Sequence, residues 1–290
     1  MTKPRILVTG SNGQLGKELK VVSSAYPGYE FLFLSREDMP IHHFELVRNF
    51  FKTSHPQYCI NCAAYTHVDK AEQESELAFQ VNGEAVGVLA AVCKEYETKF
   101  IHISTDYVFD GKATHPYKEE FPPHPQNVYG ASKLEGEKEA MQFNSDSIII
   151  RSSWVYSEFG KNFVRTMLQL MERQNEISVV NDQSGSPTYA FDLAEVILQI
   201  ISSGKWFPGI YHYCNEGVIS WYDFAKAICD LSGNQCKIKP ISTKEYPTPA
   251  ARPAYSVLDT TKIKRSYAIQ TKNWRESLTD CIEKIKSRSI

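Results

Sequence analysis

In the first half of the chain, short apolar runs alternate with longer stretches in which apolar residues return every three or four positions. Residues 5–9 (Arg-Ile-Leu-Val-Thr), 31–34, 58–61, 99–104 and 147–151 have the length and bounded apolar character of buried strands. Residues 14–20, 44–52, 75–95 and 129–142 carry the helical repeat. Strand and helix in alternation predict an α/β fold, a doubly wound parallel sheet with helices on both faces. Ligands of such sheets bind beyond the carboxyl ends of the strands, where Gly10, Ala63, Ser104 and Trp154 fall.

The pattern changes twice. Between Asp110 and Asn127 lie four prolines and no periodicity. A structureless connection rarely exceeds about 12–15 residues, so this stretch predicts a lid or binding loop. After Tyr156, helical segments at 162–173, 191–201 and 221–231 are joined by turns and short strands such as 210–214. The expected organisation is a larger domain over 1–155 and a smaller α/β, substrate-binding lobe over 156–290. Its boundary is discontinuous, with some later segments returning to the first sheet.

Composition narrows the function. A formal net charge of −2 gives no bulk attraction to nucleic acid. The eight Lys/Arg against three Asp/Glu from Lys262 onward read as the solvated face of a terminal helix over 274–286. No signal-peptide layout opens the chain, and no apolar run approaches the roughly 20 residues of a membrane span. A soluble, cytoplasmic protein is expected. The seven scattered cysteines fit a reducing compartment. Cys59 and Cys62 form a Cys-x-x-Cys, but on a strand they point to opposite faces and no second pair completes a zinc site. Both are expected to be small core residues.

Two patterns carry chemistry. Gly10, Gly13 and Gly16 sit between a strand and an amphipathic helix, the order that presents free N–H groups and a helix dipole to a pyrophosphate. Tyr129-Gly-Ala-Ser-Lys133 places a phenol and an ammonium on one helix face. A phenol has a pKa of about 10, and the cation is expected to lower it, making a proton donor for a carbonyl oxygen. Thr105, at the end of a strand, can polarise that carbonyl or simply cap the next turn. Arg36 stands about twenty residues beyond Gly16, where an arginine suits a 2′-phosphate, so NADPH is favoured and NADH remains possible. Glu37 and Asp38 are alternative ribose partners. Trp154 offers an indole face to a sugar or fills a core. Arg252 can pair with a diphosphate or stand as a surface charge.

At these residues the chain resembles the extended short-chain dehydrogenase/reductases, and within them the dTDP-4-dehydrorhamnose reductase family. The motifs are Val8-Thr-Gly-Ser-Asn-Gly-Gln-Leu-Gly16, Asn61-Cys-Ala-Ala-Tyr-Thr-His-Val-Asp69, Ser104-Thr-Asp-Tyr-Val-Phe109, Asn127-Val-Tyr-Gly-Ala-Ser-Lys133, Arg151-Ser-Ser-Trp154 and Ala250-Ala-Arg-Pro253. The resemblance implies a Rossmann-type sheet and NAD(P)H-dependent reduction of the C4 ketone of a dTDP-linked 4-keto-6-deoxy sugar. It implies that Tyr129 donates the proton, Lys133 lowers its pKa and holds the nicotinamide ribose, and Thr105 completes the triad. Gly10, Ser11, Asn12, Gly13, Gln14, Leu15 and Gly16 would meet the cofactor diphosphate. Ala63, Ala64, Tyr65, Asn82 and Ser104 would lie near its ribose and nicotinamide. Asp106, Trp154, Asn162, Gln183 and Arg252 would meet the sugar nucleotide.

Two departures stand out. Met39-Pro40-Ile41 replaces a common Leu-Asp-Ile, and Phe191 stands where some relatives place one carboxylate of a dimer-bridging metal that Glu18 would share. No metal is therefore expected, and the chain is a monomer or a homodimer. A different class stays open, because the NADP-holding regulatory subunit of methionine adenosyltransferase resembles the same reductases. Other sugar-nucleotide 4-ketoreductases and epimerases stay open too. A 4,6-dehydratase would carry Thr-Asp-Glu where this chain reads Thr105-Asp106-Tyr107.

Overall fold

A computed structural model describes residues 3–288. Five strands, β1 (Arg5–Thr9), β2 (Glu30–Leu34), β3 (Tyr58–Asn61), β4 (Lys99–Thr105) and β5 (Ile148–Ser152), pair in parallel with a sixth, Gly209–His212. The spatial order is Gly209–His212, β5, β4, β3, β1, β2. The chain reverses direction across the sheet between β1 and β3, and a ligand crevice opens at such a point.

The middles of β1, β3, β4 and β5 are largely apolar because both faces of the sheet are covered there, whereas the edge strand β2 is only half-buried. Ile6, Val8, Ile60, Ile101, Ile148 and Ile150 pack with helix α1 (Gln14–Val22) and the helix Ala190–Ser202. Leu7, Cys59, Phe100 and Ile149 face the other way, into the helices Phe44–Ser54 and Ala85–Glu95. The helix Ala190–Ser202 and the strand Gly209–His212 thus return from the later half to the first sheet. A second core, with Tyr156, Met167, Phe224, Ile228 and Leu278, gathers the remaining later segments beside a parallel strand pair, Glu176–Val180 with Lys237–Ile241. The helix Trp274–Arg288 sinks Leu278, Cys281 and Ile282 into that core.

Three expectations are corrected. The stretch 75–95 is not one α-helix: Ser75–Phe79 and Ala85–Glu95 flank a π-helical turn, Gln80–Glu84. It is also long and apolar enough to cross a membrane by composition, yet 56% of its apolar window is buried inside the protein. The stretch 110–127 is a packed strap rather than a lid. Tyr117 is fully buried, stacks on Phe109 at 4.3 Å, and shares backbone contacts with Val257 and Asp259. Its prolines stiffen a segment whose aromatic residues are spent on its own packing. Of the two close cysteines only Cys59 is core; Cys62, one residue beyond β3, lines the crevice.

Candidate active site

A cleft of about 890 Å³ runs along the carboxyl ends of β1 to β5. At its centre the chain ends of β1 and β3 touch. Gly10 has φ +65°, and a Cβ there would lie 2.6 Å from the Ala63 nitrogen, so only glycine makes the turn. A Cβ on Gly16 would lie 2.6 Å from the Gly10 carbonyl oxygen, which makes that glycine a packing requirement for α1. Gly10, Asn12, Gly13, Gln14 and Leu15 line the cleft, and no side chain caps α1 at Gly13. Ser11 and Gly16 do not line it; the Ser11 N–H donates to the Leu34 carbonyl at 3.1 Å and braces the turn. This glycine cradle below a helix N-terminus fits a dinucleotide diphosphate.

Beyond β2, Arg36 is exposed and lines the cleft beside Ser35, Glu37 and His42. Asp38 accepts the Ser35 N–H at 2.8 Å, and its carboxyl is held below the ordinary range by Ser35. Glu37 is lowered as well, first by the Ser35 hydroxyl. The turn therefore engages both carboxylates and leaves the guanidinium toward the cleft.

Ala63, Ala64 and Tyr65 form the next wall. Asn82 does not line the cleft: it is fully buried, accepting the Tyr65 N–H at 2.8 Å and donating to the Tyr65 carbonyl and the Ser132 hydroxyl at 3.0 Å each. It shapes the wall instead of touching what lies against it. Tyr65 donates its hydroxyl to Glu74 at 2.5 Å.

The reactive residues come from β4 and the helix Val128–Phe143. Asn127 caps that helix, accepting the Gly130 N–H at 2.7 Å, and Tyr129 and Lys133 follow one turn apart on the cleft face. Thr105 ends β4, lines the cleft, donates to Asp106 at 3.0 Å and accepts the Tyr107 N–H at 3.2 Å. It is both a cap and a cleft hydroxyl. The Lys133 ammonium site is buried, with Nζ donating to the Ile103 carbonyl at 2.6 Å and 3.4 Å from His102 Nε2.

The electrostatics differ from the expectation at Tyr129. Burial, reinforced by the Asp106 charge, pushes the phenol up to about 12, against a downward pull from Thr105. Burial likewise brings the Lys133 amine down to about 8, and its Nζ donates to the Ile103 carbonyl. Burial also lifts Asp106 to about 6. Tyr129 is thus a neutral phenol at physiological pH, with its proton available.

Trp154 satisfies both of its readings. It lines the cleft, while its ring stacks on Trp221 with centroids 3.5 Å apart. Its φ of +50° is costly for a bulky residue, about 1–2 kcal/mol. Asp106 and Ser104 also line the cleft, though the Ser104 hydroxyl donates to Glu137 at 2.5 Å.

Three sequence candidates are not brought to the cleft. Asn162 caps the helix Phe163–Arg173, accepting the Arg165 N–H at 3.1 Å and donating to Ser157 and Phe159 carbonyls. Gln183 donates to the Thr243 hydroxyl at 3.0 Å, away from it. Arg252 pairs with Asp69 at 2.8 Å and its own chain's Ala250 carbonyl at 3.0 Å. Each polar group found a nearer partner. Conversely, sequence reading missed Asn61, His102, Glu137 and Arg151, buried beneath the reactive residues. For Asn61, His102 and Arg151 the signal was a polar side chain inside an apolar strand, which becomes meaningful only once β3, β4 and β5 are set in register; Glu137 lies on the helix Val128–Phe143 and meets Arg151 only in the fold. Glu18 lies buried elsewhere, accepting the Ser157 hydroxyl at 2.6 Å, and Phe191 sits under the Lys284 ammonium. Among the described residues no group of three His, Cys, Asp or Glu is placed to hold a metal.

Comparison with known proteins agrees with this geometry. Residues 4–287 match the family model for the RmlD substrate binding domain. The spore coat polysaccharide biosynthesis protein SpsK of Bacillus subtilis is 43% identical, over 99% of both chains. The dTDP-4-dehydrorhamnose reductase of Aggregatibacter actinomycetemcomitans is 42% identical, over 94% of this chain and 97% of its own. The crystal structure of dTDP-4-dehydrorhamnose reductase from Bacillus anthracis in complex with NADP superposes with a TM-score of 0.94 at 37% identity, covering 98% of this chain and 100% of that one. Matched along almost its whole length in sequence and in fold, the chain belongs to the dTDP-4-dehydrorhamnose reductase (RmlD) family.

Proposed function

We propose that this protein reduces the C4 ketone of dTDP-4-dehydro-6-deoxy-L-mannose to dTDP-L-rhamnose with NADPH, the last step in making that sugar nucleotide. The observation that carries this reading is the convergence of Thr105, Tyr129 and Lys133 on the cleft that the glycine turn opens. The glycine cradle and the Ala63–Tyr65 wall would hold the dinucleotide, which when bound supplies a hydride to C4. Arg36 would pair with its 2′-phosphate. The phenol of Tyr129 gives its proton to the ketone oxygen, so that hydride and proton together make the alcohol. Thr105 orients that oxygen by hydrogen bonding. Trp154, its other surroundings fixed by Trp221, offers its remaining surface to the sugar.

The same residues argue against dehydration. The position after Asp106 holds Tyr107, whose phenol burial pushes above its ordinary range, so no second base stands beside the threonine. The protein should oxidise one NADPH per 4-keto-6-deoxy-L-hexulose nucleotide, followed by loss of the reduced cofactor's absorbance. Tyr129→Phe should slow turnover by about 10²–10⁴-fold while NADP⁺ affinity is kept. Formation of a 4-keto-6-deoxy product from dTDP-glucose would overturn the reading, and cofactor binding with no turnover of any such ketone would mark a regulatory subunit. Arg36→Ala should raise the KM for NADPH and leave that for NADH nearly unchanged; equal losses would remove Arg36 from the phosphate.

A further inference from the structure

Four lysine or arginine side chains line the cleft: Arg36, Lys70, Lys133 and Lys161. Arg36 lies beyond β2, and Lys133 is buried and donates to the Ile103 carbonyl. Lys70 shares its stretch of wall with Glu74. Lys161 comes from a different part of the chain, the loop that follows the strand Val155–Tyr156. It is exposed, and among the described residues it makes no ion pair.

That loop is fastened to α1, whose N-terminus forms the glycine cradle. Ser157 donates to the buried Glu18 of α1 at 2.6 Å, and the Phe159 N–H donates to the Ser157 hydroxyl at 2.9 Å. Asn162 draws the two ends of the loop together, donating to the Ser157 and Phe159 carbonyls at 2.8 and 3.1 Å. Between them Gly160 comes so close to the first residue of α1 that a Cβ would lie 3.3 Å from Gln14 Cγ. Lys161 is the next residue. The acids of this region are engaged already, since Glu18 and Glu158 are buried against each other and Glu158 accepts from Tyr189.

The cradle needs a cation that its own segment does not supply. A dinucleotide diphosphate carries two negative charges, whereas a helix N-terminus offers the equivalent of about half a positive one. Free N–H groups can direct the phosphate oxygens and still leave most of that charge unbalanced. The first basic residue of α1, Lys17, does not line the cleft and lies 5.8 Å from the centre of the Phe159 ring.

We propose that Lys161 is the cation for the cofactor's diphosphate, brought beside the glycine cradle by a loop that Glu18 and Asn162 brace. The proposal rests on the NADPH reading and divides its electrostatics in two. Arg36 would meet the 2′-phosphate, which NADH lacks; Lys161 would meet the diphosphate, which both cofactors carry. The sugar nucleotide has a diphosphate as well, but the approach of Gly160 to Gln14 assigns Lys161 to the one on the glycine turn. Asn162 then serves the nucleotide site indirectly, as the brace of the loop.

Calorimetric titration of the full-length protein tests this without turnover. The ligands are NADP⁺, NAD⁺, ADP-ribose, which keeps the diphosphate and lacks the nicotinamide, and dTDP. In Lys161→Met the first three should weaken by a common factor of about 3–10, and dTDP should bind as before. Lys161→Arg should restore the affinity. The difference between wild type and Lys161→Met should shrink as salt rises from about 0.05 M to about 0.5 M, because screening removes from the wild type what the variant lacks. The urea midpoint should not move, since the side chain is exposed. A loss confined to NADP⁺ would transfer Lys161 to the 2′-phosphate, and a loss confined to dTDP would transfer it to the sugar nucleotide. Either result overturns the proposal, as do unchanged affinities throughout. A protein that binds as expected and leaves the ketone unreduced would count against the reductase reading alone.

Discussion

Two buried carboxylate centres in this molecule have similar surroundings and opposite behaviour. Under the reactive helix, Glu137 meets Arg151 in a two-point pair at 2.8 and 2.6 Å, with the Ser104 hydroxyl on the same carboxylate. Where α1 meets the segment 156–158 beside the second core, Glu18 meets another carboxyl, Glu158. Ser157 donates to Glu18, and Tyr189 donates to Glu158 at 2.7 Å, with Arg288 3.5 Å away. Burial alone decides neither case. With a guanidinium opposite, the buried charge is balanced and the pair is a fixed support for Ser104 and the end of β4. With a second carboxyl opposite, the repulsion and the burial act together, and Glu18 is lifted to about 9, so that the centre keeps a proton at neutral pH. One region holds its shape by charge, the other by a shared proton.

That contrast can be broken most strongly at Arg151. Arg151→Met leaves Glu137 charged and unpaired in the interior, and stability should fall by about 3–5 kcal/mol in urea unfolding at neutral pH. The double variant Arg151→Met with Glu137→Leu should recover much of that loss, because the stranded charge is gone. No recovery would mean that the pair also carries packing that the apolar residues cannot replace.

The carboxyl pair gives a smaller effect with a distinctive pH signature. Glu18 binds its proton more tightly folded than unfolded, so the folded chain holds the extra proton between about 4.5 and about 9. Stability contributed by the pair is complete at the acid end of that window and declines as pH rises toward 9, by at most about 1.4 kcal/mol per pH unit. In Glu18→Gln this decline should flatten, as read from urea midpoints across the window. An unchanged slope would place the proton elsewhere.

The comparison also marks what could be read in advance. The strands, the glycine turn and the Tyr129–Lys133 helix were legible because each is declared by local pattern: a bounded apolar run, a strand–turn–helix order, a four-residue spacing. Thr105 and Trp154 were legible as cleft residues from their place just past strand ends. Glu137–Arg151 and the hydrogen-bonded row Thr9–Asn61–His102 were not, since their partners are joined by strand register and by contacts far apart in sequence. Asn162, Gln183 and Arg252, which do not line the cleft, show the same limit. A polar side chain shows no partner in sequence, and in the fold each has one within 3.1 Å. The strap 110–127 looked free because prolines hide periodicity, although Phe109, Tyr117 and Phe121 form an aromatic group that fixes it.

The π-helical turn at Gln80–Glu84 has a consequence for chain length. Such a turn carries one residue more than an α-turn in the same span. Shortening this segment by a residue would therefore restore an unbroken α-helix with the downstream turns still in phase, and Val86, Leu89, Ala90 and Cys93, all without solvent exposure, would keep their face to the sheet. What would be lost is the widened turn that carries Asn82, whose side chain holds both the N–H and the carbonyl of Tyr65. The extra residue thus lets one continuous helical run serve the sheet with its second half and the cleft wall with its first. A one-residue deletion within 80–84 should keep the fold and loosen the wall at Tyr65.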